Sequence, residues 1–213
     1  MYKIFFIFRE ILRGKSVLRS FLNYRLSSEI LRGRTIDVGG GKNQSYIAFM
    51  KSTSDYMFTS FDKKLGYEID FEIDDLPILS DSVDTVLFLN VMEHIFNYQH
   101  LAGEVVRILK PGGQLIGFVP FLMWYHPDHR DFFRYTHEAI NIIFERAGVS
   151  SVRVESLAHG PFTAGLQMVS QFLPRLLSAI IFPPVYFLDS LYLRFRPHLR
   201  DHFALGYFFK AKI

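Results

Sequence analysis

Thr35-Ile36-Asp37-Val38-Gly39-Gly40-Gly41 is an apolar run that meets an acid and then opens into three glycines. It reads as a short strand followed by a tight turn. Glycine permits that turn because no Cβ obstructs the bend or a ligand approaching the backbone. A helix starting after such a turn would offer its N-terminus to an anionic ligand group. Further on, Leu109-Lys110-Pro111-Gly112-Gly113 reads as a helix end, a proline stop and a glycine turn before another strand. The two segments predict an alternating α/β domain with a nucleotide-like ligand at the first strand-to-helix turn.

A dinucleotide fingerprint places its third glycine three positions after its second. Counting from Gly39 and Gly41, that position holds Gln44. D-x-G-x-G instead resembles the first motif of class I S-adenosylmethionine-dependent methyltransferases. The blocks that follow keep that family's order. They are Asp62 closing Met57-Phe58-Thr59-Ser60-Phe61, Leu76-Pro77-Ile78, Ser82-Val83-Asp84-Thr85-Val86, Asn90-Val91-Met92-Glu93-His94 and Ile108-Leu109-Lys110-Pro111-Gly112-Gly113. The stretch His126 to Thr136 resembles a type 11 methyltransferase subgroup associated with modification of bacterial surface glycans.

This resemblance implies a Rossmann-like, doubly wound, mostly parallel sheet with an antiparallel C-terminal edge strand. It implies S-adenosyl-L-methionine as cofactor. Asp37 would sit near the cofactor's methionine end, and Gly39, Gly40 and Gly41 would pass beneath it. Asn43 stands where many relatives carry another glycine. Asp62, at the second strand end, is the expected ribose ligand, because a carboxylate accepts from both hydroxyls; Lys63 beside it would pack over the adenine or stay solvated. Glu72 has the family spacing for the adenine amino group, whereas Asp74 has the commoner acid type, so both stay open. Ile73 would supply a backbone donor. Asn90 follows the fourth strand, facing the ligand crevice. Asp84 is expected to be structural.

Methyl transfer from a sulfonium needs chiefly alignment of two reactants, since the leaving group is already activated. No nucleophile triad is therefore expected. Trp124-Tyr125-His126-Pro127-Asp128-His129-Arg130-Asp131-Phe132-Phe133-Arg134-Tyr135-Thr136 is the densest polar and aromatic segment. Rings stack on sugars, and His can accept a proton near neutral pH. His126 and Asp131 are the catalytic base candidates. Trp124, Tyr125 and Arg134 are the substrate-binding candidates, with Arg134–Asp131 pairing as the structural alternative. His94 is expected either to orient loops or to take part directly. No metal is expected, because His126, Asp128 and His129 do not make an adequate ligand set.

Among 213 residues, 49% are hydrophobic and 23 are Phe, which excludes a disordered chain. With no cysteine there is no disulfide, thiolate metal site or cysteine nucleophile. Residues 1–34 hold eight Lys/Arg and two acids, a net +6 within a chain of net +3. The basic charge therefore belongs to an N-terminal helical segment, residues 1–34, and not to the methyltransferase domain at 35–213. Nucleic acid is disfavoured as a partner on that ground. Ile4, Ile7, Phe8, Ile11 and Leu12 recur at helical spacing, so residues 2–31 are predicted to form one or two amphipathic basic helices. These would cap the sheet or lie on an anionic membrane surface. No signal peptide is recognised, and no run of 18 uncharged apolar residues marks a span. Localisation is expected to be cytoplasmic, peripheral at the inner face of the membrane.

Strands are predicted near 35–38, 57–61, 68–72, 84–89 and 114–119, with later ones at 152–154 and 207–213. Helices are predicted near 44–51, 97–109 and 137–147, the last capped by Thr136. Residues 157–202 form an apolar insertion, in which Pro183-Pro184 should break the uncharged run 176–188. It would cover a pocket or touch a membrane. The expected acceptor is an oxygen or nitrogen on a cell-envelope glycan or lipid-linked sugar. The alternatives are a small lipophilic acceptor, such as a quinone precursor or lipid, and a non-catalytic nucleotide-binding scaffold.

Overall fold

A computed structural model describes residues 2–40, 44–53, 55, 57–61, 69–127, 130–157 and 159–213. The chain divides into two compact units. One is built on a sheet and comprises residues 29–120, 125–155 and 207–213; the other is helical and comprises 1–28, 121–124 and 156–206.

In chain order the strands are β1 (Ile30–Leu31), β2 (Arg34–Val38), β3 (Lys51–Ser52), β4 (Met57–Phe61), β5 (Val83–Leu89), β6 (Leu109–Pro120), β7 (Val152–Leu157) and β8 (Gly206–Lys212). The main sheet has the order β4-β2-β5-β6-β8-β7. β4, β2, β5 and β6 run parallel, with Ile36 opposite Thr59 on one side and Val86 on the other. β8 runs antiparallel to β6, since Gly112 N–H donates to Ile213 and Ile213 N–H to Gly113 at one end, while Phe121 N–H donates to Leu205 at the other. β7, next to β8, completes that side of the sheet. β2 from Thr35 and β5 from Thr85 are buried at every position, on both faces, as parallel strands covered by helices are. Ile36, Val86, Leu87, Leu115 and Ile116 are fully buried among them.

Helices α3 (Tyr98–Ile108) and α4 (His137–Arg146) belong to the sheet unit. Thr136 caps α4 by accepting the Ala139 N–H, and Gly148 ends the turn after it with φ +99°. Below the sheet's polar end, Glu104 accepts from Leu76 N–H at 2.7 Å and pairs with Arg107. Asp84 takes the Arg34 N–H at 2.9 Å and Lys110 Nζ at 2.7 Å, a structural role.

Three predicted elements need correction. Residues 44–51 form only a 3-10 turn over Ile47–Phe49. Lys51-Ser52 are instead drawn into β3, where Lys51 N–H donates to Glu29 O beside β1. Within 68–72, residues 69–72 hold no strand; residue 68 lies outside the described residues. Short acidic side chains claim the backbone there: Asp70 accepts from Glu72 N–H and Asp74 from Asp70 N–H, the usual way such residues favour turns. Finally, Pro183-Pro184 do not break the insertion.

The helical unit contains α1 (Tyr2–Leu12), α2 (Val17–Leu26), α5 (Pro161–Val169) and α6 (Arg175–Phe195). α6 runs unbroken through both prolines over 21 residues. Each proline removes one backbone donor, yet Ala179 and Phe182 just before them are fully buried and hold the helix in place. Asp189 of α6 is also buried, and accepts from Phe162 and Thr163 N–H at 3.0 and 2.7 Å, capping the first turn of α5. Phe6, Ile7 and Ile11 of α1 pack inward with Phe21 and Leu22 of α2. Glu10 is buried between Asn23 Nδ2 and Arg13 Nη1, each at 2.9 Å.

Candidate functional site

The sheet unit brings the glycine turn and the Glu93-His94 block to the carboxyl ends of β2 and β5. Asp37 is fully buried near the end of β2, and the Tyr46 hydroxyl donates to its Oδ2. Gly39 has φ +93°. A Cβ there would lie 2.6 Å from Val91 Cγ2, and one on Gly40 would overlap the Asp37 carboxylate. Gln44 Nε2 closes the loop by donating to Gly40 O at 3.1 Å. The turn is therefore a cradle that only glycine leaves open, and it fits a ligand laid against bare backbone beside a buried acid. Gly41, Asn43, Asp62 and Lys63 lie outside the described residues.

Asn90 ends β5 with φ +55°, a left-handed conformation that Asn tolerates better than most residues. Its side-chain amide donates to Glu93 Oε1 at 3.3 Å. Of the adenine candidates, Glu72 is engaged by the start of α3: its carboxylate accepts from Phe96 and Asn97 N–H at 2.9 and 2.8 Å. Asp74 accepts from Asp70 N–H at 2.8 Å. Ile73 between them is 74% exposed.

The acceptor-side segment folds over the same edge. Asp131 is gripped by Arg134, with Nη1–Oδ1 at 2.5 Å and Nη2–Oδ2 at 2.7 Å. Its Oδ2 also accepts from His126 N–H at 2.9 Å. The Arg134 pairing holds the Asp131 carboxyl at about 2, well below the usual carboxylate range. Asp131 thereby ties Arg134 to the backbone of His126, the pairing that stood as the structural alternative, and it remains a proposed base beside His126. His126 Nδ1 lies 3.5 Å from Asp131 Oδ2, and its ring meets His94 edge-on at 5.3 Å between centroids. Tyr125 is 71% exposed. Trp124 falls in the helical unit, apart from the other acceptor candidates in the chain's division. Asp128 and His129 lie outside the described residues.

Two residues carry more than the sequence pattern had indicated. Glu93 is fully buried, and burial pushes its carboxyl up to about 7 against the pull of His94, Asn90 and Arg134. His94 Nδ1 lies 2.5 Å from Arg130 O, and its Nε2 lies 3.7 Å from Glu93 Oε1. The E-H block flagged this position without indicating burial. Tyr46 had no signal at all, since nothing in its neighbourhood pointed back to Asp37.

Residues 37–117 match the family model described as a methyltransferase domain. This segment is similar to methyltransferase domains. A curated relative, an uncharacterized methyltransferase of Mycobacterium sp. (strain JLS), is 30% identical over 106 residues. The match covers 45% of this chain and 41% of that protein, so it spans about two fifths of the relative's length. Among solved structures, a methyltransferase from Archaeoglobus fulgidus superposes with TM-score 0.50 at 15% identity, over 98% of this chain and 99% of that one. One from Mesorhizobium loti gives TM-score 0.51 at 12% identity, over 95% and 100%. The [4+2]-cyclase SpnF gives TM-score 0.56 at 16% identity, over 92% and 80%. At these identities the likeness is one of fold, the class I methyltransferase fold, and the cyclase is a reminder that this fold does not fix the reaction.

Proposed function

We propose that the whole chain is an enzyme that transfers a methyl group from S-adenosylmethionine to an oxygen or nitrogen of a cell-envelope glycan or lipid-linked sugar, working at a membrane surface. The observation that carries the reading is the glycine cradle beside buried Asp37, inside a methyltransferase domain, with the His126–Arg134 segment folded over the same sheet edge. Bound cofactor supplies an activated methyl on a sulfonium. Asp37 with Gly39, Gly40 and Gly41 would hold its amino-acid end, Asp62 its ribose, and Glu72, Ile73 or Asp74 its adenine. Asn90 would fix the crevice wall between cofactor and acceptor.

On the acceptor side, His126 is positioned by the Asp131–Arg134 clamp and would take the proton released by a hydroxyl or amine. Tyr125 and Trp124 would offer ring faces to a sugar. Membrane attachment rests on the helical unit. Ile7 and Ile11 of the α1 stripe are buried, so the lipid-facing candidates extend from the rest of α1 to α6. There Phe187 is 67% exposed and Phe195 74% exposed, with Phe172 before the helix at 80%. α6 is long and apolar enough to cross a membrane by length and composition, and 28% of its most apolar window is buried. Asp189, committed to capping α5, favours a helix lying along the surface with its neighbours over one that spans. Arg175, Arg194 and the basic residues of α1 and α2 would suit anionic headgroups. A small lipophilic acceptor is the second reading, favoured by an open apolar groove among Tyr2, Ile4, Phe5, Phe8 and Pro183.

The test is incubation of the full chain with methyl-labelled cofactor and fractionated bacterial envelope extracts. Label in a glycan or lipid-linked sugar supports the proposal. Label only in small lipophilic molecules supports the second reading. Cofactor binding with no labelled product from any fraction favours a non-catalytic scaffold.

A further inference from the structure

Glu93, His94 and His126 come from two separate segments of the sheet unit, yet one ligand-type atom from each lies within 4.8 Å of the others. The carboxylate is the buried member. Asn90 donates to Glu93 Oε1, but Oε2 has no hydrogen-bond partner among the described residues. A buried carboxylate oxygen without a donor costs free energy unless a proton or a cation satisfies it. The backbone around this group is already committed: Glu93 O accepts from Phe132 N–H at 2.8 Å, and Met92 O accepts from the Tyr135 hydroxyl at 3.2 Å. The loop carrying His126 is thereby tied down over Glu93.

His94 is oriented in the way metal-bound imidazoles are. Its Nδ1 sits on the Arg130 carbonyl at 2.5 Å, which places the proton on Nδ1 and leaves the Nε2 lone pair on the side facing Glu93. His126 is held through its backbone N–H by Asp131, itself clamped by Arg134. Two imidazoles and one carboxylate form a donor set for a first-row divalent transition ion. Imidazole donors disfavour magnesium and calcium, and the absence of cysteine removes thiolate competition. Three protein ligands leave coordination positions open, as in catalytic and not purely structural sites.

We infer that Glu93, His94 and His126 bind one divalent transition-metal ion of the zinc or cobalt type, a site that closes with small side-chain shifts and faces the acceptor side of the crevice. Binding stands on this geometry alone. Its use, holding an acceptor oxygen in an open coordination position, rests on the methyltransferase reading above. His126 would then serve as a ligand in place of a free base.

The full chain is stripped with chelator, dialysed and titrated with Zn²⁺ by calorimetry and with Co²⁺ by visible absorption. Expected is one ion per chain, with a Co²⁺ spectrum of a low-coordinate nitrogen/oxygen site. His94→Ala and His126→Ala should each weaken binding by at least about tenfold, the lower end of what perturbing a metal's ligand environment costs. His100→Ala, outside the cluster, should leave it unchanged. Glu93→Gln is judged together with its circular dichroism, and the two histidine variants carry the test if it does not fold. No binding by the wild type, or equal affinity in the His94→Ala/His126→Ala double variant, overturns the inference. S-adenosylmethionine affinity is measured on the same samples. Cofactor binding without metal binding sinks the metal site alone, and metal binding without cofactor binding sinks the methyltransferase reading alone.

Discussion

The sheet unit and the helical unit differ in where they leave apolar residues exposed. In β2, β5 and β6 nearly every large side chain is buried, and the polar residues present are committed to partners. In α6 the inward residues Ala179, Phe182 and Leu193 are buried, but Leu176, Ile180, Phe187, Leu191 and Phe195 remain open to solvent. The first unit buries its central strands and leaves exposed apolar residues such as Ile73, Leu79 and Phe96 outside them. The second has a conventional interior and, in addition, more exposed apolar surface than a soluble helix needs, which is the mark of an interaction surface. Under the proposed function, chemistry and attachment fall to different parts of one chain, and they should be separable by mutation.

The sharpest break would come from the helical unit. Phe172→Ser/Phe187→Ser/Phe195→Ser should lower partition onto anionic vesicles by about a thousandfold, taking about 1.5 kcal/mol for each lost phenyl insertion. Vesicle flotation reads this. Cofactor affinity measured on the same protein should not move; if flotation is unchanged, the exposed aromatic surface serves something other than lipid.

Next in size, His126→Ala should lower turnover on the true acceptor by about a hundredfold, the scale of one proton-transfer or acceptor-activating group. Cofactor affinity should stay near that of the wild type, because the group acts on the acceptor. Single-turnover rates and calorimetry together decide, and a variant that loses only cofactor binding would place His126 on the wrong side of the crevice.

A smaller effect is expected at the cradle. Gly39→Ala puts a Cβ at φ +93° against Val91, and left-handed strain of about 1–2 kcal/mol is the minimum cost. Cofactor affinity should fall about tenfold while vesicle binding is retained. Unchanged affinity in a folded variant would move the cofactor away from this turn.

The smallest concerns pH. Hydrogen bonds from Arg107 hold the Glu104 carboxyl below its ordinary value. Its folded pKa is depressed, so its contribution to stability is complete above about 4.5, the ordinary Glu value, and fades as pH falls through the lower folded value. Glu104→Gln should flatten the acid limb of the melting-temperature profile and cost about 1 kcal/mol at neutral pH. An acid limb identical to wild type would show that the pair contributes nothing to the sheet unit's stability.

Legibility followed how local the cause was. The glycine turn, the strands expected at 84–89 and 114–119 and helix α4 were readable because periodicity, caps and turn residues lie inside each segment, but Leu109–Gly113, read as a helix end and turn, already belongs to β6. The 44–51 helix was misread because the deciding interaction is distant: Lys51 pairs with the edge at Glu29. The strand expected at 68–72 was misread over 69–72 because apolar and acidic residues alternate there, while the aspartates' own hydrogen bonds to the backbone set a turn. Pro183-Pro184 misled for the reverse reason, since propensity was outweighed by burial of Ala179 and Phe182 on the same helix. At the site, residue types were visible but their states were not. Sequence could offer Asp131 as a base or as the partner of Arg134; the fold adds that Arg134 reaches both of its oxygens.

The position of β8 constrains how the protein can be made. Gly117 of β6 has no side chain because the ring of Phe209 occupies that space. β8 therefore wedges between β6 and β7, two strands translated long before it. Until residue 212 clears the ribosome, β6 and β7 each present an unpaired edge, and the sheet unit cannot close in the order of synthesis. Nascent chains halted before β8 should be held open with these hydrogen-bonding edges bare, a state that invites chaperone capture.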